Sequence, residues 1–326
     1  MLDLVSVSSD QPVHEAIEAS MDAAERVDGL GYERLWYAEH HNTAAVASSA
    51  TALLIGQAAA RTKTIKVGSG GIMLPNHSPL NVVENFGTLA QMYPGRIELG
   101  LGRAPGTDPV TAQALSRSGA EPQDFMTNIR LMQTWFDAGQ VGGIEVGVAQ
   151  GTKVPIWMLG SSTAGAQMAA ILGLPYSFAS HFAPDMMEQA IAIYRANFDP
   201  DAPTAQISEP YVQVGVNVLA HEEPGKAEHY FTTTQKMFMS MRRTGGRLPL
   251  QPPGDFDPDI SQMEFDMMER MLRVRAIGTP DVVARTLAEI EEATGADEII
   301  TCTYAHDPEI RTRSLELVAD ACGLAA

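Results

Sequence analysis

The 326-residue sequence predicts a (β/α)8 TIM barrel with insertions after its fourth and seventh strands. Three observations carry that expectation. Short β-branched or apolar runs alternate with longer amphipathic stretches, the pattern of βαβ units around a parallel sheet buried on both faces. About eight such pairs follow one another along the chain. No GxGxxG opens a helix after the first strand, which removes the main support for an open dinucleotide-binding sheet. With 45% hydrophobic residues the chain can bury a large core, and a single barrel domain over residues 1–326 is expected.

The strands expected from these runs are LDLVSV (2–7), YERLWYA (32–38), IKVGSGG (65–71), RIELGLG (96–102), PIWMLG (155–160), PYSFAS (175–180), YVQVGVNVLA (211–220) and DEIITCT (297–303). Helices are expected over 12–28, 48–61, 79–92, 123–138, 162–172, 184–197, 223–240, 280–293 and 308–321. Two connections exceed ordinary loops: 103–122 after the fourth strand and 241–260 after the helix of the seventh. The second combines Arg242, Arg243, Gly245 and Gly246 with Pro249, Pro252, Pro253 and Gly254, a composition read as resisting helix and strand and expected to form a mobile lid.

Composition narrows the partners. A formal charge of −18 repels phosphate backbones and anionic leaflets, so neither nucleic acid nor a membrane surface is expected. No apolar run approaches the roughly 18 residues of a spanning helix, and Met1 leads into β-like LDLVSV rather than a secretory leader, giving the expectation of a soluble cytoplasmic protein. Cys302 and Cys322 lack CxxC partners and read as reduced structural thiols.

In barrel enzymes the site lies at the C-terminal ends of the strands. Six of the eight histidines fall just past an expected strand: His40, His41, His77, His181, His221 and His306. Any one of them reads equally as a solvated loop residue. The pair in "LWYAEHHN" stands out, because an imidazole with an ordinary pKa near 6.5 takes and returns protons at neutral pH. Glu39 and His41 beside it could orient His40, or could serve packing alone. Metal binding competes, but the first strand lacks the HxH pair of a metal-dependent barrel hydrolase, and no metal is expected. Gly68, Gly70, Gly71, Gly100 and Gly102 interrupt the third and fourth strands, either to let a flat ring rest on bare backbone or to ease barrel closure. Arg103 follows directly, where a guanidinium can clamp a phosphate. Gly160, Ser161 and Ser162 then open a helix, as a phosphate cradle or as a plain N-cap.

The segments "GLGYERLWYAEHHN", "RTKTIKVGSGGIMLPNHSPLNVVENFGTLAQMYPGRIELGLGRAPG", "MLGSSTAGAQMAAILGLPYSFASHF" and "GTPDVVARTLAEIEEATGADEIIT" together resemble the bacterial luciferase-like flavin-dependent monooxygenase family, over nearly the whole chain. The resemblance implies a (β/α)8 barrel that takes reduced FMN from a separate NAD(P)H-dependent flavin reductase and uses O2 to oxygenate a small organic substrate, commonly as a homodimer. It implies that His40 is a general base beside the flavin with His41 and Glu39 as neighbours. It also implies that the ring rests on a cis Gly70–Gly71 bond, and that Arg103, Gly160, Ser161 and Ser162 meet the FMN phosphate. The luciferases carry a glutamate where Ser161 stands and an aldehyde-binding loop not repeated in 241–260, which points to the non-luminescent branch. Two other readings remain open at this point. A deazaflavin-dependent oxidoreductase of the same fold would call for more basic residues at the rim than a chain with 5 lysines and 17 arginines, mostly elsewhere, provides. A non-catalytic flavin-binding protein would not need His40.

Overall fold

The computed structural model describes residues 1–115, 118–245 and 248–324. Its strands are β1 (Leu2–Asp3), β2 (Arg34–Tyr37), β3 (Lys66–Met73), β4 (Ile97–Gly102), β5 (Ile156–Gly160), β6 (Tyr176–Phe178), β7 (Val212–Ala220), β8 (Arg275–Gly278) and β9 (Glu298–Cys302). The helices are α1 (Val13–Gly29), α2 (Thr51–Arg61), α3 (Pro79–Met92), α4 (Pro109–Ala114), α5 (Pro122–Asp137), α6 (Thr163–Ile171), α7 (Met187–Asn197), α8 (Lys226–Thr244), α9 (Gln262–Met271), α10 (Pro280–Thr294) and α11 (Pro308–Ala321). Strands β1 to β7 pair in sequence, β9 pairs with β7 and β1, and this parallel ring of eight strands closes as a TIM barrel. The ninth strand, β8, lies outside the ring. Asn217 pairs with Cys302 on one side and Arg275 on the other, so β8 extends the outer half of β7 on the edge that β6 uses lower down.

Period-2 alternation decides what each strand contributes. Val212, Val214, Val216 and Val218 of β7 join the core between barrel and helices, as do Ile97, Leu99 and Leu101 of β4. The intervening residues fill the barrel. At its N-terminal end Arg34 bonds Glu98 at 2.5 and 2.6 Å and Glu298 at 2.7 Å, Trp36 Nε1 donates to Glu98 at 2.9 Å, and the guanidinium lies 4.8 Å from the Trp157 ring centre. Above this paired layer sits an apolar one that includes Leu2, Trp36, Trp157 and Ile300. The charges of the floor are therefore compensated, and the sites of barrel enzymes lie at the opposite, C-terminal mouth.

Several boundaries depart from the sequence expectation. The first strand is Leu2–Asp3 rather than 2–7, because Val5 adopts φ 52° and its N–H turns back to Asp3 Oδ1 at 2.8 Å. The sixth is Tyr176–Phe178 rather than 175–180. The connection after β4 contains α4, capped by Asp108, whose side chain accepts the N–H groups of Val110 and Thr111. The stretch 241–260 is not uniformly irregular. Residues 241–244 complete α8, where Arg243 bonds Glu264 at 2.9 Å. Leu250 is buried and exchanges backbone bonds with Val7 (2.8 Å) and Ser9 (2.9 Å). Gly246 lies outside the described residues. Helix α9 and strand β8 were not anticipated: RAIG is too short to show a period, and α9 buries only Met268. The capping box Ser261–Glu264 was the legible signal for α9.

Candidate active site

The strand ends and their loops enclose a cavity of about 820 Å3 at the barrel mouth, within the range of sites that hold cofactor-sized ligands. Its wall includes His40, His41, Gly70, Gly71, Arg103, Gly160, Ser161 and Ser162. Glu39, the remaining predicted residue, is fully buried behind the wall. Arg103 and Asp108 supply the charge among the described Asp, Glu, Lys and Arg residues of the lining.

Glu39 organises the loops around it. Its carboxylate accepts hydrogen bonds from His41 Nε2 (2.8 Å), His77 Nε2 (2.9 Å), Asn76 Nδ2 (3.3 Å) and the Met73 N–H (2.9 Å). Burial alone raises the pKa of this carboxyl. The bond and charge of His77, then the bonds from His41 and Met73, outweigh burial and hold it below 4.5. Gly106 closes the same corner with φ 62°, and a Cβ there would stand 2.9 Å from the Glu39 carbonyl oxygen. The His41 N–H donates to the Gly106 carbonyl at 3.2 Å, tying the loop after β2 to the loop after β4. Among the described residues no hydrogen bond joins Glu39 to His40. Glu39 and His41 thus orient each other and the 73–77 turn, the anchoring one of the two readings their sequence leaves open.

His40 stands at the end of β2 with its Nδ1 shut off from solvent and unpartnered among the described residues. Burial lowers its pKa, Glu39 partly offsets this, and His41 lowers it further, so the ring is neutral at neutral pH. A second imidazole, His181, stands in the same wall at the end of β6. It is 7% exposed, and burial together with His40 brings its pKa down to about 4.

The glycines answer first to their neighbours. The Gly70–Gly71 peptide is cis. A Cβ on Gly70 would lie 2.6 Å from Leu2 Cδ1, one on Gly71 2.7 Å from the Gly100 carbonyl oxygen, and one on Gly68 2.5 Å from the Glu98 carbonyl oxygen. At Gly68 and Gly71 the close passage of β3 over β4, where their register shifts between Ser69 and Ile72, therefore requires glycine whatever the cavity holds. Gly71→Ala is accordingly expected to cost about 1–3 kcal/mol of stability, the range for overpacking, read as a lower urea midpoint with an unchanged slope. A midpoint equal to wild type would return these glycines to a ligand role alone.

At the opposite wall, the Ser162 hydroxyl accepts the Gly165 N–H at 3.3 Å and caps α6, while Tyr176 donates to the Ser162 carbonyl at 3.3 Å. The start of a helix carries unsatisfied N–H groups and a partial positive charge. Arg103, half-buried at the rim, has Nη1 3.5 Å from the Ala120 carbonyl oxygen.

The strand-end histidines divide. His40, His41 and His181 line the cavity and His77 backs Glu39. His221 accepts the Glu223 N–H at 3.0 Å, and His306 lies 3.2 Å from Asp10 and Ser9; neither belongs to the cavity wall. His181 in the cavity wall, and Asn76 and His77 behind it on Glu39, are the members of this cluster to which the sequence assigns no role. The position of the two histidines just past strands was their only signal. No group of three or more His, Cys, Asp and Glu among the described residues is arranged to hold a metal ion.

The family description of luciferase-like monooxygenases matches residues 2–298. A protein of Escherichia coli K12 named luciferase-like monooxygenase is 42% identical over 323 residues, covering 98% of this chain and 95% of its own. The crystal structure of apo-MsnO8 superposes with a TM-score of 0.86 at 30% identity, covering 99% of this chain and 98% of that one. At 17% identity, the oxygenating constituent of 3,6-diketocamphane monooxygenase from a plasmid of Pseudomonas putida, solved in complex with FMN, shares the fold with a TM-score of 0.71, over 99% of this chain and 97% of that one.

Proposed function

The chain belongs to the luciferase-like monooxygenase family, and from that premise we propose that it binds reduced FMN, delivered by a separate reductase, and oxygenates a small organic substrate with O2. The observation that carries this reading is a neutral, half-buried imidazole, His40, placed in the wall of an apolar-lined cavity whose rim holds Arg103 and the start of α6. The residues fit the cofactor. A phosphate suits the Arg103 guanidinium and the N-terminal turn at Ser161 and Ser162, and the bare backbone of Gly70 and Gly71 offers a flat wall for a ring. When bound, reduced FMN supplies the electrons that activate O2. His40 is the group that handles the proton: Nδ1 is shut off, so Nε2 is the atom that meets a ligand, and burial keeps the ring neutral at neutral pH. Glu39 fixes the loops that carry His40 and His41, and the apolar side chains around the mouth keep water from the reacting atoms.

Anaerobic titration of reduced FMN, followed by admission of O2 and product analysis, tests the reading. Absence of flavin binding overturns it. Arg103→Ala is expected to weaken FMN by about 1.5–3 kcal/mol, roughly 10- to 150-fold, while riboflavin, which lacks the phosphate, is unaffected. Equal loss for both flavins would remove Arg103 from the phosphate.

A further inference from the structure

His181 has a place made for it. A Cβ on Gly215 of β7 would stand 2.3 Å from His181 Nδ1 and 3.2–3.3 Å from Cε1 and Cγ, so the ring turns its Nδ1 edge against bare strand on the inner face of the barrel. Its backbone is pinned there: Asn217 Nδ2 donates to the His181 carbonyl at 2.5 Å, and the hydroxyl of Ser180 donates to the Gly215 carbonyl at 2.6 Å. Phe182 closes on the ring edge at 4.8 Å between centres. Nδ1 is sealed from solvent and has no partner among the described residues, and a proton placed on it would be a buried donor with no acceptor. The N–H therefore belongs on Nε2, the nitrogen on the far side from Gly215 in a side chain that lines the cavity. The cavity wall that carries it is mostly apolar and includes Met237, Phe238 and Met241 of α8 and Ile300 of β9, and His40 stands near enough to lower its pKa.

We propose that His181 contacts the organic substrate, donating a hydrogen bond from Nε2 to an uncharged acceptor oxygen on an otherwise apolar molecule. This rests on the monooxygenase reading above and adds the class of substrate to it. A neutral donor in an apolar wall favours a ketone, ether or alcohol. A carboxylate would leave its charge without a cation there, because Arg103 serves the flavin and burial keeps the His181 ring uncharged near neutral pH.

Cyclohexanone, cyclohexane and cyclohexanecarboxylate test the proposal by calorimetric titration of wild type, His181→Phe and His181→Asn, with and without FMN. FMN affinity is measured separately by flavin fluorescence. His181→Phe is expected to weaken cyclohexanone about tenfold while leaving cyclohexane and FMN within twofold, and His181→Asn to restore part of the loss. In 15N-histidine-labelled wild type, cyclohexanone is expected to move the His181 Nε2 resonance and cyclohexane to leave it; this readout does not require the Phe variant to fold. Unchanged cyclohexanone affinity in a folded His181→Phe protein, an unmoved Nε2 resonance, tighter binding of the carboxylate than of the ketone, or no ketone binding at millimolar concentration each overturns it. Failure of FMN to bind is a separate result, which removes the cofactor reading while the probe titrations still decide the role of His181.

Discussion

Replacing His40 by alanine is expected to slow oxygenation about 10²- to 10⁴-fold, or roughly 2.7–5.4 kcal/mol of barrier, while FMN affinity changes less than threefold. The expectation follows from geometry. The ring has no hydrogen-bond partner among the described residues, so deleting it breaks no network, and it lines the cavity, so deleting it removes a proton carrier from the site. The check is the rate on any probe that the wild type oxygenates, compared with flavin affinity in the same protein. A parallel fall in both would make His40 a binding residue. The pH profile adds a second test. The proposed role needs the ring neutral, and burial places the His40 pKa below 6.5, so the His40-dependent rate is expected to hold through pH 6.5 and to fall only in more acidic buffer.

Glu39→Gln is expected to be the most destabilising change at the site, by about 3 kcal/mol, because the new amide turns a donor toward groups that are themselves donors in a fully buried place. Its pH dependence has a definite sign. The folded carboxyl titrates below its unfolded value of 4.5, so its contribution is complete above that value and lost as pH falls through the lower, folded one. The stability of wild type should thus exceed that of the variant at pH 7, and the gap should narrow in strong acid. His181 acts over a different window. Its unfolded ring takes a proton near 6.5 and its folded ring only at about 4, so wild type loses stability on descending through that interval. Urea midpoints at pH 7, 5 and 3.5 separate the two groups, and a gap independent of pH would remove Glu39 as the charged hub.

Most of the barrel was legible in the sequence because its strands are runs of alternating or continuous apolar residues, as in YVQVGVNVLA, and the expected helix 308–321 matches α11. What escaped was set by tertiary context. Strand β8 exists because β7 is long enough to carry a second neighbour, a fact of pairing that RAIG does not encode by itself. Residues 241–244 are helical although they are exposed and rich in arginine: Arg243 is held by Glu264 of α9, and the helix ends where Gly245 takes a left-handed φ of 70°. Three of the histidines at strand ends, His40, His41 and His181, come together in the wall of the cavity. The division of labour among them was not readable: whether Glu39 meets His40 or His77 depends on how the 73–77 turn folds back, and the reason for His181 lies 34 residues away at Gly215.

The closure of the ring carries a consequence for synthesis. The edge of β1 that faces away from β2 is satisfied by β9, with Leu2 opposite Cys302. On a ribosome, that edge waits while about three hundred residues emerge, since nothing made earlier supplies its partner. An arc of strands with an open border is the form most exposed to pairing with another chain. β1 is two residues long before the chain turns at Val5, so the waiting border offers little ladder to an intruder, and the same brevity that cost the strand its expected length makes the nascent barrel a poor template for aggregation.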